Sequence, residues 1–261
     1  MQLNRTLIGM VHVGALPGSP GAGRPVRELA TEAMREAAAL REAGFDAVIV
    51  ENMHDRPYVN GPHAPATVAA MTAVCAAVRR EMGDAFPIGV QILSRGEREA
   101  MAVAHATGCQ FIRCEAFVFS HVADEGLMAD AAAGPLLRDR AALGAGHVKV
   151  FADIQKKHAS HAITCDLDVA ELAKAAEFFL ADGVIVTGVA TGRPAEEDDV
   201  RDARRAVSIP VLVGSGVTPE NARGLLQHAH ALIVGSWIKK GGVWHAPVDA
   251  ARARELVAAA R

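Results

Sequence analysis

Along this chain a short apolar run is followed by a helical pattern eight times over, and this alternation constrains the fold more than any single motif. The apolar runs are Leu7–Val13, Ala47–Asn52, Pro87–Leu93, Phe111–Glu115, Val148–Ile154, Gly183–Gly188, Pro210–Ser215 and His230–Ser236. Helical spacing is predicted for Val26–Ala43, Pro65–Met82, Gly96–Thr107, Pro135–Leu143, Asp168–Leu180, Glu196–Val207, Pro219–Gln227 and Pro247–Ala260. The runs are continuously apolar rather than alternating, as strands covered on both faces must be. Eight βα units in 261 residues are the arithmetic of a closed (β/α)8 TIM barrel, a single domain over residues 1–261. An open doubly wound sheet is the rival, because spacing alone does not prove closure.

The connections predict which end of such a barrel works. Links from helix to strand are tight, as at Gly44-Phe45-Asp46 and Gly108-Cys109-Gln110. Links from strand to helix are long and polar: GALPGSPGAGRP, MHDRPYVNGPHA, AFVFSHVADEGLMADAAAG, QKKHASHAITCDLD and VATGRPAEEDD. In a barrel these loops all lie on the C-terminal face, where ligands bind. The loop Gly14–Pro25 reads equally well as a lid over the mouth or as a plug packed on its neighbours.

Two of the strand-to-helix turns are rich in small residues, Gly214-Ser215-Gly216 and Gly235-Ser236. Turns of this kind leave backbone N–H groups without partners, and such donors bind phosphate. Their position after the seventh and eighth runs matches the phosphate grip of a barrel. The bland alternative is that the glycines only let strand and helix approach closely.

Polar side chains sit where the strands should end: His12, Glu51, Asn52, Gln91, Arg113, Glu115, Asp153 and Thr187. Strand alternation allows only one of Glu51 and Asn52 to face inward. Glu115 and Asp153 are candidates for an acid/base pair, with Arg113 between them and His12 as a third catalytic candidate. Gln91, Arg113, Lys156, His158 and Thr187 are candidates for orienting substrate, and Lys156, Lys157 and His158 for meeting an anion. Lys149 reads as a buried structural ion pair rather than an imine-forming lysine. His12, Glu51 and Asp153 are also candidate ligands for a divalent metal. No spacing has the specificity of HExxH, Ser215 and Ser236 lack a GxSxG elbow, and no nucleotide-cofactor motif is found.

Net charge is −3 with acids and bases interspersed, which gives no nucleic-acid footprint. No apolar run approaches the ~20 residues of a membrane span. Four cysteines without paired spacing suit a reducing compartment, so a cytoplasmic protein is expected, with a small phosphorylated metabolite as its partner. Self-association through the long connection after the fourth strand stays open.

The segments IGMVHVGALPGSP, AVIVENMHDRPY, GVQIL, VKVFADIQKKHASHAIT, FFLADGVIVTGVATG and VGSGVTPEN resemble the BtpA family, from about Leu7 to about Gly241. The family is named for a cyanobacterial photosystem I biogenesis protein and includes SgcQ-type members of carbohydrate operons. The resemblance implies a barrel of the ribulose-phosphate-binding type. This chain departs from the photosynthetic pattern at Ser94-Arg95-Gly96-Glu97 and at Cys114-Glu115-Ala116-Phe117, both at the predicted mouth. Three functions follow for testing: isomerase or lyase chemistry on a phosphorylated metabolite, a non-catalytic assembly factor, and a metal-dependent phosphohydrolase.

Overall fold

A computed structural model describes residues 3–188 and 194–261. In chain order the strands are β1 (Thr6–His12), β2 (Ala47–Glu51), β3 (Ile88–Gln91), β4 (Phe111–Cys114), β5 (His121–Ala123), β6 (Gly126–Met128), β7 (Lys149–Asp153), β8 (Ala159–Ser160), β9 (Gly183–Val186), β10 (Val211–Val213) and β11 (Ala231–Val234). Eight of them close into a parallel barrel in the order β1-β11-β10-β9-β7-β4-β3-β2. The helices are α1 (Val26–Ala43), α2 (Pro65–Met82), α3 (Glu97–Thr107), α4 (Ala133–Ala142), α5 (Val169–Phe178), α6 (Glu197–Ala206), α7 (Pro219–Leu225) and α8 (Ala250–Ala260). The fold is therefore the TIM barrel expected from the repeating pattern, and the open sheet is excluded by the β1–β11 pairing of Thr6 with Ala231.

Alternation along each strand sorts the side chains into two cores. Leu7, Val11, Val48, Val50, Val90, Val150 and Val213 face outward and pack with the helices. Ile8, Met10, Ile49, Phe111, Phe151, Ile185, Leu212 and Ile233 fill the barrel interior. The two interior rings, Phe111 and Phe151, meet with centroids 5.3 Å apart. They fit because Gly89 supplies no side chain: a Cβ there would lie 2.2 Å from the Phe111 ring. Burying a ring of this size stabilises the fold by roughly 2–3 kcal/mol. The aromatic layer also forms a dry floor, so the polar residues one layer higher must face the C-terminal mouth.

The strands are shorter than the apolar runs, which continue into the turns; the third ends at Gln91 and the seventh at Val213. α4 starts at Ala133 rather than at Pro135, and α7 stops at Leu225. Nothing in the sequence pattern signals the small antiparallel sheet β6-β5-β8, which joins the loop after β4 to the loop after β7. Strands of two and three residues are too short to show a period. Segment 14–25 is anchored at one point, where Leu16 is fully buried in the outer core and its N–H donates to Asp55 Oδ1 at 2.7 Å, while residues 20–25 are exposed. Residues 189–193 of the loop after β9, within VATGRPAEEDD, lie outside the described residues. Among the described residues no helix is long and apolar enough to cross a membrane.

Candidate functional site

Two cavities open at the C-terminal mouth and share Glu51, Met53 and Lys157 in their walls. The first has a volume of about 160 Å³ and is lined by the turns Gly214-Ser215-Gly216 and Gly235-Ser236 together with His12 and Arg113. The second, about 280 Å³, is lined by Gln91, Glu115, Glu125, Lys156, His158, Tyr58 and Trp244, among others. A continuous cleft thus runs from the glycine turns of β10 and β11 to the carboxyl group after β4.

The glycine turns are shaped by the chain after them. Gly216 takes φ +63, a left-handed conformation that a side chain would strain. Its carbonyl accepts from Asn221 Nδ2 at 2.9 Å, and Asn221 Oδ1 accepts from the Thr218 N–H at 2.8 Å. This reciprocal cap holds the turn open toward the cavity before the short helix α7 begins. Gly235 enters a single 3-10 turn at Ser236–Ile238. It packs beside the His12 ring, where a Cβ would lie 3.7 Å from Nε2.

Register brings three polar residues to one level: His12 pairs with Glu51, and Glu51 pairs with Gln91. His12 Nδ1 donates to the carbonyl of Trp244 at 2.8 Å, while Nε2 lies 3.5 Å from Glu51 Oε2. A carbonyl only accepts, so the proton sits on Nδ1 and the Nε2 lone pair faces Glu51. Burial, assisted by Lys239, holds the His12 pKa well below the ordinary histidine value. Burial also raises the Glu51 carboxyl, against the pull of Lys157 and Arg113. Asn52, one residue on, faces the other way: its Oδ1 accepts from the Leu93 N–H at 2.8 Å and its Nδ2 donates to Asp55 at 2.9 Å.

Glu115 is the acid of the second cavity. Burial pushes its pKa up to about 8, with Lys156 opposing the shift, and among the described residues its Oε2 has no hydrogen-bond partner. Gln91 Oε1 is likewise buried with no hydrogen-bond partner among the described residues. Unpaired buried oxygens cost free energy unless a ligand or water completes them. Both belong to side chains in the cleft wall, as a ligand site requires.

The expected partner of Glu115 is placed differently. Both carboxylate oxygens of Asp153 accept from Arg113, with Nη2 to Oδ2 at 3.0 Å and Nε to Oδ1 at 3.1 Å. Asp153 lines neither cavity, whereas the guanidinium it fixes lines the first. Thr187 also lies outside both cavities, its hydroxyl donating to the Gln155 carbonyl at 2.7 Å. Lys156 lines the second cavity 3.5 Å from Glu125, whose other oxygen accepts from Ser94 at 2.7 Å. His158 stands at the exposed rim, 4.0 Å from Asp124. Lys149 does form an ion pair, with Asp182 at 2.8 Å, but at the half-exposed base of the barrel rather than in its interior. Among the described residues no three His, Cys, Asp or Glu side chains converge as a metal-ligand set; of the candidates, His12 meets Glu51 but Asp153 is occupied by Arg113.

Sequence reasoning misses Trp244 and Arg56. Trp244 lies in the loop after β11, packs 5.2 Å from the His54 ring and carries the Arg56 guanidinium 4.8 Å over its face. The only signal was a rare tryptophan beside the glycines Gly241-Gly242, with no period to attach it to the mouth.

The sequence model of the BtpA family matches residues 3–261. An uncharacterised mitochondrial protein of Caenorhabditis elegans is 45% identical over 94% of this chain and 89% of its own length. The photosystem I biogenesis protein BtpA of Synechocystis is 34% identical over 99% of this chain and 88% of its own. Among solved structures, a 3-hexulose-6-phosphate synthase superposes with a TM-score of 0.62 at 18% identity, covering 98% of this chain and all 100% of the other. The (S)-3-O-geranylgeranylglyceryl phosphate synthase of Thermoplasma acidophilum, in complex with sn-glycerol-1-phosphate, gives 0.60 at 18% identity over 98% and 93%. These structural likenesses establish the barrel. The name of the worm relative places that protein in a mitochondrion, so the relatives do not share one cytoplasmic address.

Proposed function

This chain belongs to the BtpA family, and we propose that it is an enzyme acting on a small phosphorylated metabolite by acid/base chemistry of the isomerase or lyase type. One observation carries the reading: the adjoining cavities have the small-residue turns after β10 and β11 at one end and the neutral acid Glu115 at the other. The turns Gly214-Ser215-Gly216 and Gly235-Ser236 hold the phosphate, with Arg113 as its charged neighbour; Gly214 serves by shaping the first turn, because its own N–H already donates to the Val186 carbonyl at 2.9 Å. Asp153 serves by locking the Arg113 fork in place. Gln91, Lys156 and His158 orient the rest of the substrate. Glu115, protonated at neutral pH, donates a proton to a developing oxyanion. The His12–Glu51 pair holds one exchangeable proton beside the phosphate end and serves as its counterpart. The two synthases of similar fold described above each carry a phosphorylated compound in their names, which supports the class of substrate.

The test is thermal denaturation with inorganic phosphate, glycerol phosphates and sugar phosphates, each with and without EDTA. A ligand at one hundred times its Kd adds ~2.7 kcal/mol. A phosphate-dependent rise in Tm that Gly216→Val abolishes supports the reading; no shift with any phosphorylated compound sinks it.

The Synechocystis relative favours a second reading, a non-catalytic assembly factor. Val122, Leu127 and Ile163 stand exposed around the small β6-β5-β8 sheet and offer apolar surface to a partner. Stable copurification of a partner with a protein whose cleft residues are all substituted would favour it over the enzyme.

A further inference from the structure

The chain has six lysines, and four are accounted for by their surroundings. Lys149 pairs with Asp182, Lys156 with Glu125 and Lys239 with Glu36, and Lys240 is exposed. Lys174 lies far from the mouth, on α5. Lys157 is different. It lines both cavities, and among the described residues its ammonium has no hydrogen bond and no ion pair. A partly buried cation without a direct partner is costly, and a purely structural role does not account for it.

Its neighbours have a definite chemistry. Glu51 shares both cavities with Lys157, and Glu115 shares the second. Both are carboxyls raised toward their neutral, proton-donating form by burial. Burial, followed by the charge of Arg113, lowers the Lys157 pKa in turn, enlarging its share of free amine. An amine so placed, in the wall it shares with carboxylic acids and with the glycine turns of the first cavity, is arranged to attack a carbonyl carbon.

We propose that Lys157 captures the carbonyl group of a small phosphorylated aldehyde or ketone as an imine, an inference that rests on the phosphate reading above. The Nζ lone pair forms the C–N bond while the carbonyl π electrons move to oxygen, which takes a proton from Glu115. The ammonium formed at nitrogen returns a proton to the carboxylate. Reprotonation of the carbinolamine hydroxyl by the acid expels water, and the nitrogen lone pair closes the C=N bond. The net change is amine plus carbonyl to imine plus water, with no oxidant or reductant. The protonated imine then accepts the electron pair released when an adjacent C–H or C–C bond breaks, which places the protein among the lyases and isomerases that work on carbonyl compounds.

The full chain is incubated with dihydroxyacetone phosphate or with unphosphorylated dihydroxyacetone, reduced with sodium borohydride and mapped by peptide mass. The expected result is one reduced adduct per chain, at Lys157, absent from K157R and formed more slowly by E115Q. No adduct with either probe, or labelling spread over the other lysines, overturns the proposal. Glycerol 3-phosphate, which has no carbonyl, is tested in parallel by thermal shift and reads the phosphate site alone. A shift without an adduct overturns the imine and leaves the phosphate grip standing. An adduct without a shift supports the lysine and removes the grip.

Discussion

The imidazole of His12 stands between two groups that fix its state, the Trp244 carbonyl 2.8 Å from Nδ1 and the Glu51 carboxyl 3.5 Å from Nε2. Because the carbonyl only accepts, the neutral ring must carry its proton on Nδ1. Burial is the main reason the ring resists a second proton. The expectation is that nitrogen NMR of the ring at pH 6 reports a neutral Nδ1–H tautomer, where an ordinary histidine would be mostly charged. A doubly protonated ring at that pH would contradict the assignment.

Glu115 makes the enzyme reading sensitive to pH. With a pKa of about 8 it donates a proton at neutral pH and ceases to do so as pH rises past 8. Turnover that depends on it should fall above pH 8. E115Q should lower kcat roughly 10²–10⁴-fold, the usual share of a general acid. Stability follows the same group with the sign reversed from a salt-bridged carboxylate. The folded state holds the proton more tightly than the unfolded chain, so this contribution is fully present below the ordinary value of 4.5 and is lost as pH rises toward 8. E115Q should therefore gain on the wild type in Tm between pH 5 and 9, and parallel Tm curves would refute the shift.

The Arg113–Asp153 fork should behave as a buried pair whose halves are not separable. D153N leaves a guanidinium uncompensated among buried groups and should cost about 3–5 kcal/mol in urea unfolding. The double variant R113M/D153L should recover most of that loss while abolishing the phosphate-dependent thermal shift. If D153N alone is as stable as the wild type, the ion pair does not hold the mouth together.

Gly89 should tolerate no side chain. A methyl group there meets the Phe111 ring at 2.2 Å, and that ring is wedged against Phe151. G89A is expected to lose roughly 1–3 kcal/mol by overpacking. Adding F111L should return part of it, because the smaller side chain vacates the contact; chemical denaturation of the single and double variants measures both.

The fold was legible because strands buried on both faces read as short unbroken apolar runs and helices carry an amphipathic period, as at Ala47–Glu51 and Val26–Ala43. Polar residues at strand ends, His12, Glu51, Asn52, Gln91, Arg113 and Glu115 among them, could be named for a related reason, because polar groups at the ends of apolar runs are expensive and need a purpose, but which of Glu51 and Asn52 faces inward could not. The engagement of Asp153 by Arg113 was not legible. Residue type gives the charge of each, but only the pairing of β4 with β7, which sets Arg113 opposite Phe151, lets its long side chain reach Asp153 two residues further on. Trp244 and the β6-β5-β8 sheet were invisible because long-range loop packing has no period. Lys157 could be named as a cation in a loop, while its lack of a partner is a property of three dimensions.

The bond from His12 to the Trp244 carbonyl spans 232 positions of sequence. Chains are made from the amino end, so His12 leaves the ribosome long before the residue that sets its tautomer exists. The tautomer of the first strand's histidine is therefore decided by the loop after the eighth barrel strand, so the closing seam of the barrel, where β1 pairs with β11, is also where the proton-holding pair is set.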